Sequence, residues 1–249
     1  MCTVICRWSP DRSMPIRLLA LRDELTSRAF DLPSAWWPDQ PQVVGGLDRV
    51  GGGSWCASDV GAGVTAVVLN RGERMRAEPG APSRGVLPLL AVQEHERWPE
   101  AIELAGMASF NLVLARPDGL RWWSYDGSTL GGAELDPGTH LFTPRGLADN
   151  SLDSRFLNSN LPLEAGEKST EAAWPGWLQV LQESVPSTDP LALLVKIPLG
   201  DEVFETVFGQ FIAARPGSLR LDYVRTPSLG LPWTTARWQL HDEVATLDR

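Results

Sequence analysis

Apolar and polar positions alternate in short runs along most of this chain, and only a few stretches carry the wider spacing of helices. TVICRW at 3–8 and PIRLLAL at 15–21 predict two strands either side of SPDRSM, a turn-rich linker. Residues 28–45 are rich in proline and tryptophan with little periodicity, which predicts a long surface-crossing loop. GGLDRVGGGSWCAS then leads into GVTAVVLN, a short apolar strand with β-branched residues. Helical spacing follows over 90–106, where Pro99 marks a break or a new start. SFNLVLAR and LRWWSYD are strands joined by Pro117, Asp118 and Gly119, a hairpin signal. Residues 171–185 and 201–214 carry helical patterns, and SLRLDYVR and TARWQL predict late strands. Strands gather toward both ends with helices between, and no repeat, low-complexity tract or linker divides the chain. A single α+β domain over 1–249, packed in layers, is the expectation.

Composition narrows the class. The 249 residues, 43% hydrophobic and 21% charged, suit a globular chain with a sizeable core. A net charge of -9 and a pI near 4.9 leave no basic surplus to meet phosphates, which argues against a nucleic-acid partner. The best apolar runs, GVTAVVL and LALLV, fall far below the roughly 18 residues of a membrane span. Arg7, Asp11 and Arg12 interrupt any early apolar region, so no secretory signal is expected and the cytoplasm is the default location. Cys2, Cys6 and Cys56 make an odd count without CxxC spacing. Cys2 and Cys6 share a strand face but would stand about 13 Å apart, too far for a disulfide or a shared zinc. His95, His140 and His241 each lie alone, so no metal site is expected.

The first hairpin carries the candidate chemistry. If its turn centres near residues 11–12, Cys2 falls opposite residues 21–22 and Arg22 and Asp23 arrive at the thiol. Met1 precedes a small residue, so its removal would leave Cys2 with a thiol and a free amine. A cysteine of pKa about 8.5 is little ionised at neutral pH, but an α-amine of pKa about 7.7–8.0 can take its proton. Asp23 would hold and orient that amine, and Arg22 would favour the thiolate or a substrate carboxylate. The plainer alternative is an incidental small residue at Cys2 beside a solvated strand end.

Other residues have competing roles. Trp36–Trp37 and Trp122–Trp123 could line a groove with Trp55 behind the glycine-rich loop, yet adjacent tryptophans on a strand face opposite sides, and core packing is the simpler role. The glycines at 51–53 lack the ending of a phosphate loop and instead allow a tight turn. Asn70 and Arg71 close a strand, where a cap is as natural as a site role. Asn111 must find hydrogen-bond partners wherever it lies, and Arg84 could pair with a carboxylate of protein or ligand.

The opening MC, ALRDE at 20–24, and Arg28, Pro33 and Trp36 in R-x4-P-x2-W spacing resemble the NRDE family, which includes the transport and Golgi organisation protein 2 homologues. GGLDRVGGGSWCA at 45–57, LNRGE at 69–73, SRG at 83–85 and FNLVL at 110–114 extend the resemblance, in order, over roughly residues 1–125. Beyond that it thins to patterns such as DEVFETVFGQF. The family is similar to N-terminal-nucleophile hydrolases, so the resemblance implies a four-layer α-β-β-α sandwich with Cys2 as nucleophile and Asp23 steadying its amine. Asn70 falls where its side chain could donate to an oxyanion, and Trp55 and Arg84 fall where substrate would bind. The implied activity is hydrolysis of a non-peptide C–N bond in a small acyl-amide, with no required cofactor. The implied alternative is a non-catalytic carrier of haem.

Two departures weaken the catalytic implication. Leu21 stands where the motif has asparagine, removing a donor expected beside the site. Pro144, in FTP at 142–144, stands where the family has a candidate oxyanion-hole asparagine, a donor whose loss costs about 10²–10³ in turnover. Asn150 is a possible substitute.

Overall fold

The computed structural model describes residues 2–148, 153–159, 169–227 and 232–239, so Met1, Asn150 and His241 lie outside the described residues. The fold is mixed α+β, with two antiparallel sheets and few helices. β1 (Cys2–Trp8) and β2 (Ile16–Leu25) form the first hairpin. The chain then lays down one sheet as a meander in sequence order: β3 (Phe30–Ser34), β4 (Val43–Asp48), β5 (Cys56–Asp59), β6 (Val64–Asn70), β7 (Phe110–Arg116), β8 (Gly119–Tyr125) and β9 (Leu130–Leu135). β10 (Gly138–Thr143), β11 (Gly146–Ala148), β12 (Lys196–Leu199), β13 (Glu202–Arg215), β14 (Ser218–Arg225) and β15 (Thr234–Gln239) join the first hairpin in the other sheet. Its order is β11-β10-β1-β2-β13-β14-β15, with β12 also paired to β13. The helices are α1 (Leu87–Glu94), α2 (Ser154–Asn158), α3 (Thr170–Ala173) and α4 (Trp177–Glu183). No helix among the described residues is long and apolar enough to cross a membrane.

Burial on both faces explains the near-continuous apolar runs of the central strands. Val4, Cys6, Ile16, Leu18 and Ala20 point into a core shared with Val67, Leu69 and Val113 of the other sheet. Ile5, Leu19 and Leu21 point outward, under Phe156, Trp174, Trp177 and Leu181 of α2–α4. On the other sheet Ala66, Val68, Leu112 and Leu114 are covered by Leu87, Ala91 and Val92 of α1 and by Trp98. The fully buried Asp222 pins α3, accepting hydrogen bonds from Arg220, Thr170 and Trp174.

Several elements differ from the sequence pattern for identifiable reasons. Residues 201–214, expected as helix, are β13. Val203, Phe204, Val207, Phe208, Phe211 and Ile212 imitate helical spacing because the strand is packed on both faces and carries a bulge between Thr206 and Phe208. Residues 28–45, expected as loop, contain β3 and part of β4, with a register shift near Pro33. The helix expected over 90–106 starts earlier, with Pro88 in its first turn, and passes at His95–Ala101 into a 3₁₀ segment that contains Pro99. β9 to β11 gave no apolar signal because β9 is mostly exposed and both sheet edges are rich in glycine. Trp37, Trp122 and Trp123 serve packing, whereas Trp36 is 40% exposed. Trp123 lies against Trp98 in the outer core, and Trp122 turns the other way and donates to Asn111.

Candidate functional site

The observed register pairs Cys2 with Arg22, as the turn position predicts. Alternation sends Arg22 to the inter-sheet face with Cys2 and Asp23 to the opposite face with Leu19 and Leu21. Asp23 therefore takes the face opposite Arg22, yet it stays near the sulfur, its backbone N–H favouring the thiolate and its carboxylate charge opposing it. It sits one position beyond the start of β1, where the charge of the chain's amino terminus favours its ionised form. Its carboxylate accepts a 2.7 Å hydrogen bond from Thr206 on β13. Thr206 in turn accepts from the Val195 N–H at 2.9 Å, which fixes its rotamer.

The glycine-rich segment builds the wall beside Arg22. A side chain at Gly46 would meet the Trp55 ring at 2.1 Å, so only glycine lets that indole lie flat on the strand. One at Gly53 would meet the Gly85 carbonyl oxygen at 2.2 Å, so this loop packs backbone to backbone on the turn at Arg84–Val86. Asp48 closes the loop by accepting from the Val50 and Gly51 N–H groups at 2.9 and 2.8 Å. The same carboxylate takes Arg28 at 2.7 and 3.1 Å and Arg22 at 2.9 Å. Arg22 is thereby sandwiched, its guanidinium carbon 4.5 Å from the Trp55 ring centroid and 4.9 Å from that of Phe30. Its Nη1 and the Trp55 indole N–H are buried without a partner among the described residues.

These elements enclose a cavity of about 660 Å³, and Cys2, Arg22, Asp23, Asn70, Trp55 and Arg84 all line it. Asn70 ends β6 half-buried in the wall. Leu25, Val68, Met75, Ile197, Leu199 and Phe204 supply its apolar surface. Arg84 is held by the Ser109 and Met75 carbonyl oxygens at 2.9 and 3.4 Å.

Burial dominates the electrostatics. It pushes the Asp23 carboxyl up to about 6 against the pull of the amino-terminal charge and of Thr206. It also raises the Cys2 thiol, opposed by the amino terminus, reinforced by the Asp23 carboxylate charge, and opposed again by the Asp23 N–H and Arg22. Cys6 is pushed up to about 12 by burial alone, and Cys56 higher still. A Cys2 thiol in this setting stays protonated at neutral pH until a neighbouring base takes the proton.

The two departures fall elsewhere. Leu21 is 1% exposed in the outer core, so no donor is lost from the cavity there. Pro144 lies in the β10–β11 turn, where its carbonyl accepts from the buried Asn111 side chain, and it does not line the cavity. Sequence reasoning missed Thr206, which carries no motif, and the linking role of Asp48, which the conspicuous glycines around it signalled. Residues 1–160 match a family model described as Transport and Golgi organisation 2. No curated protein matches the chain.

Proposed function

The chain belongs to the Transport and Golgi organisation 2 family, and on that premise we propose that it is an N-terminal cysteine hydrolase cleaving a non-peptide C–N bond in a small acyl-amide. We take the two sheets and their outer helices as the four-layer α-β-β-α sandwich of N-terminal-nucleophile hydrolases. Removal of Met1 frees the Cys2 amine, which takes the thiol proton. The thiolate attacks the carbonyl carbon, and the Asn70 carboxamide donates to the oxyanion that forms. The ammonium returns its proton to the leaving nitrogen as the C–N bond breaks, leaving a thioester on Cys2. Water, deprotonated by the same amine, releases the acid and restores the thiol. Asp23, steadied by Thr206, orients the amine, and Arg22 offsets the cost of a buried thiolate. Three buried, unbridged cysteines fit a reducing compartment, and on that ground we assign the protein to the cytoplasm.

The observation that supports this reading is the meeting of all six residues on one cavity at the start of β1. Its test is a thiol-directed acylating probe with mapping of the adduct and intact mass. Cys2 should label far faster than Cys6 or Cys56 in a chain that begins at residue 2. Equal labelling, or a retained Met1, overturns the mechanism.

A second reading, haem carriage, draws on one feature: aromatic and apolar walls beside arginines, which suit a porphyrin face and its propionates. No histidine among the described residues lines the cavity, and iron ligation by imidazole is not part of that reading. Haemin titration decides it, since a saturable one-to-one Soret shift supports a carrier and its absence removes it.

A further inference from the structure

Four arginines and three carboxylates line the cavity: Arg22, Arg28, Arg76 and Arg84 against Asp23, Glu24 and Asp48. This is a cationic lining in a chain of net charge -9. The carboxylates are committed. Asp48 binds Arg22 and Arg28, Glu24 lies 3.7 and 3.6 Å from the same two guanidinium groups, and Asp23 holds the Thr206 hydroxyl. Arg84 forms no ion pair with a described carboxylate; the Ser109 and Met75 carbonyl oxygens orient its guanidinium without neutralising it. Arg76 stands exposed at the mouth. Burial lowers the Arg84 pKa, opposed in part by the Cys2 sulfur and by Glu24. Beside it Met75 is 52% exposed, an apolar rim open to a ligand.

We propose that the cavity takes a ligand with an apolar body and a single carboxylate, and that Arg84 binds that carboxylate. Arg84 is a cation of the lining without a carboxylate partner among the described residues, its planar fork matches the two oxygens of a carboxylate, and the apolar wall matches the ligand's body. This deepens the hydrolase reading by naming its substrate class, an acyl-amide bearing one carboxylate. Its test reads binding rather than turnover, so failure of one does not entail failure of the other.

The experiment is equilibrium titration of full-length Cys2→Ala protein with 4-phenylbutyrate, its neutral amide 4-phenylbutanamide, and 3-phenylpropyl phosphate. The carboxylate should bind about tenfold or more tighter than the amide, the worth of one charge-assisted hydrogen bond. Arg84→Met should abolish that preference and Arg84→Lys should keep part of it. In the Cys2→Ala protein itself, added salt should weaken the carboxylate and leave the amide unchanged, a readout that needs no change at Arg84. Equal binding of carboxylate and amide, a preference that survives Arg84→Met, or tighter binding of the phosphate overturns the proposal.

Discussion

Replacing Asp23 by asparagine should make the protein more stable while removing its proposed activity. In the chain that begins at residue 1 the carboxyl is raised from 3.8 to about 6, so keeping it ionised in the fold costs about 3 kcal/mol at 1.36 kcal/mol per unit, and the comparison is made on that chain. An acid raised in this way contributes stability that is full below its unfolded value and lost as pH climbs through its folded one. Asparagine mimics the neutral acid and can still accept the Thr206 hydrogen bond. Asp23→Asn should therefore gain about 3 kcal/mol at pH 8 and about 1 kcal/mol at pH 4.5. Guanidinium denaturation of both proteins at the two pH values reads the difference, and the thermal midpoint at pH 8 should rise by about 6–12 °C. A group retained at such a cost is the signature of function rather than architecture. Loss of stability at pH 8, or a gap that does not change with pH, would refute the argument and make Asp23 a structural residue.

Three further outcomes follow from the geometry. Thr206→Val removes the hydroxyl that favours ionised Asp23 and orphans the Val195 N–H, so it should cost about 1–3 kcal/mol by denaturation. It should also move the acid limb of any pH–rate profile upward relative to the unsubstituted enzyme. Gly46→Ala drives a methyl into the Trp55 ring and should cost about 1–3 kcal/mol with a shift in tryptophan emission. Gly52→Ala, at φ 72 in open space, should cost only about 1–2 kcal/mol and leave the emission alone. Leu21→Asn, which restores the family's motif residue, buries a carboxamide in the outer core and should lose about 1–3 kcal/mol in denaturation without raising turnover.

Local alternation made the first hairpin legible, and its turn residues fixed the register that brings Cys2 to Arg22. The glycine and tryptophan motif was legible because close backbone approach demands those residue types. Asp23 was placed on the right strand near Cys2, but facing positions do not by themselves say that it takes the face opposite Arg22. β13 escaped because burial on both faces erases the period of two, and Thr206 escaped with it. Leu21 and Pro144 looked like losses from the site because a motif records order along the chain and not the direction of a side chain.

The extra residue in β13 lets one strand address two clients. Upstream of it Thr206 turns to Asp23, and downstream Phe208 turns the other way, 5.5 Å from Trp55 and 5.8 Å from Phe30. In a regular strand residues 206 and 208, two apart, would share a face; the bulge at Val207 sends the hydroxyl and the phenyl ring to opposite sides, opposite the adjacent Asp23 and Arg22 of β2. A chain that kept Val207 but straightened the bulge would have to give up either the acid's support or the aromatic floor.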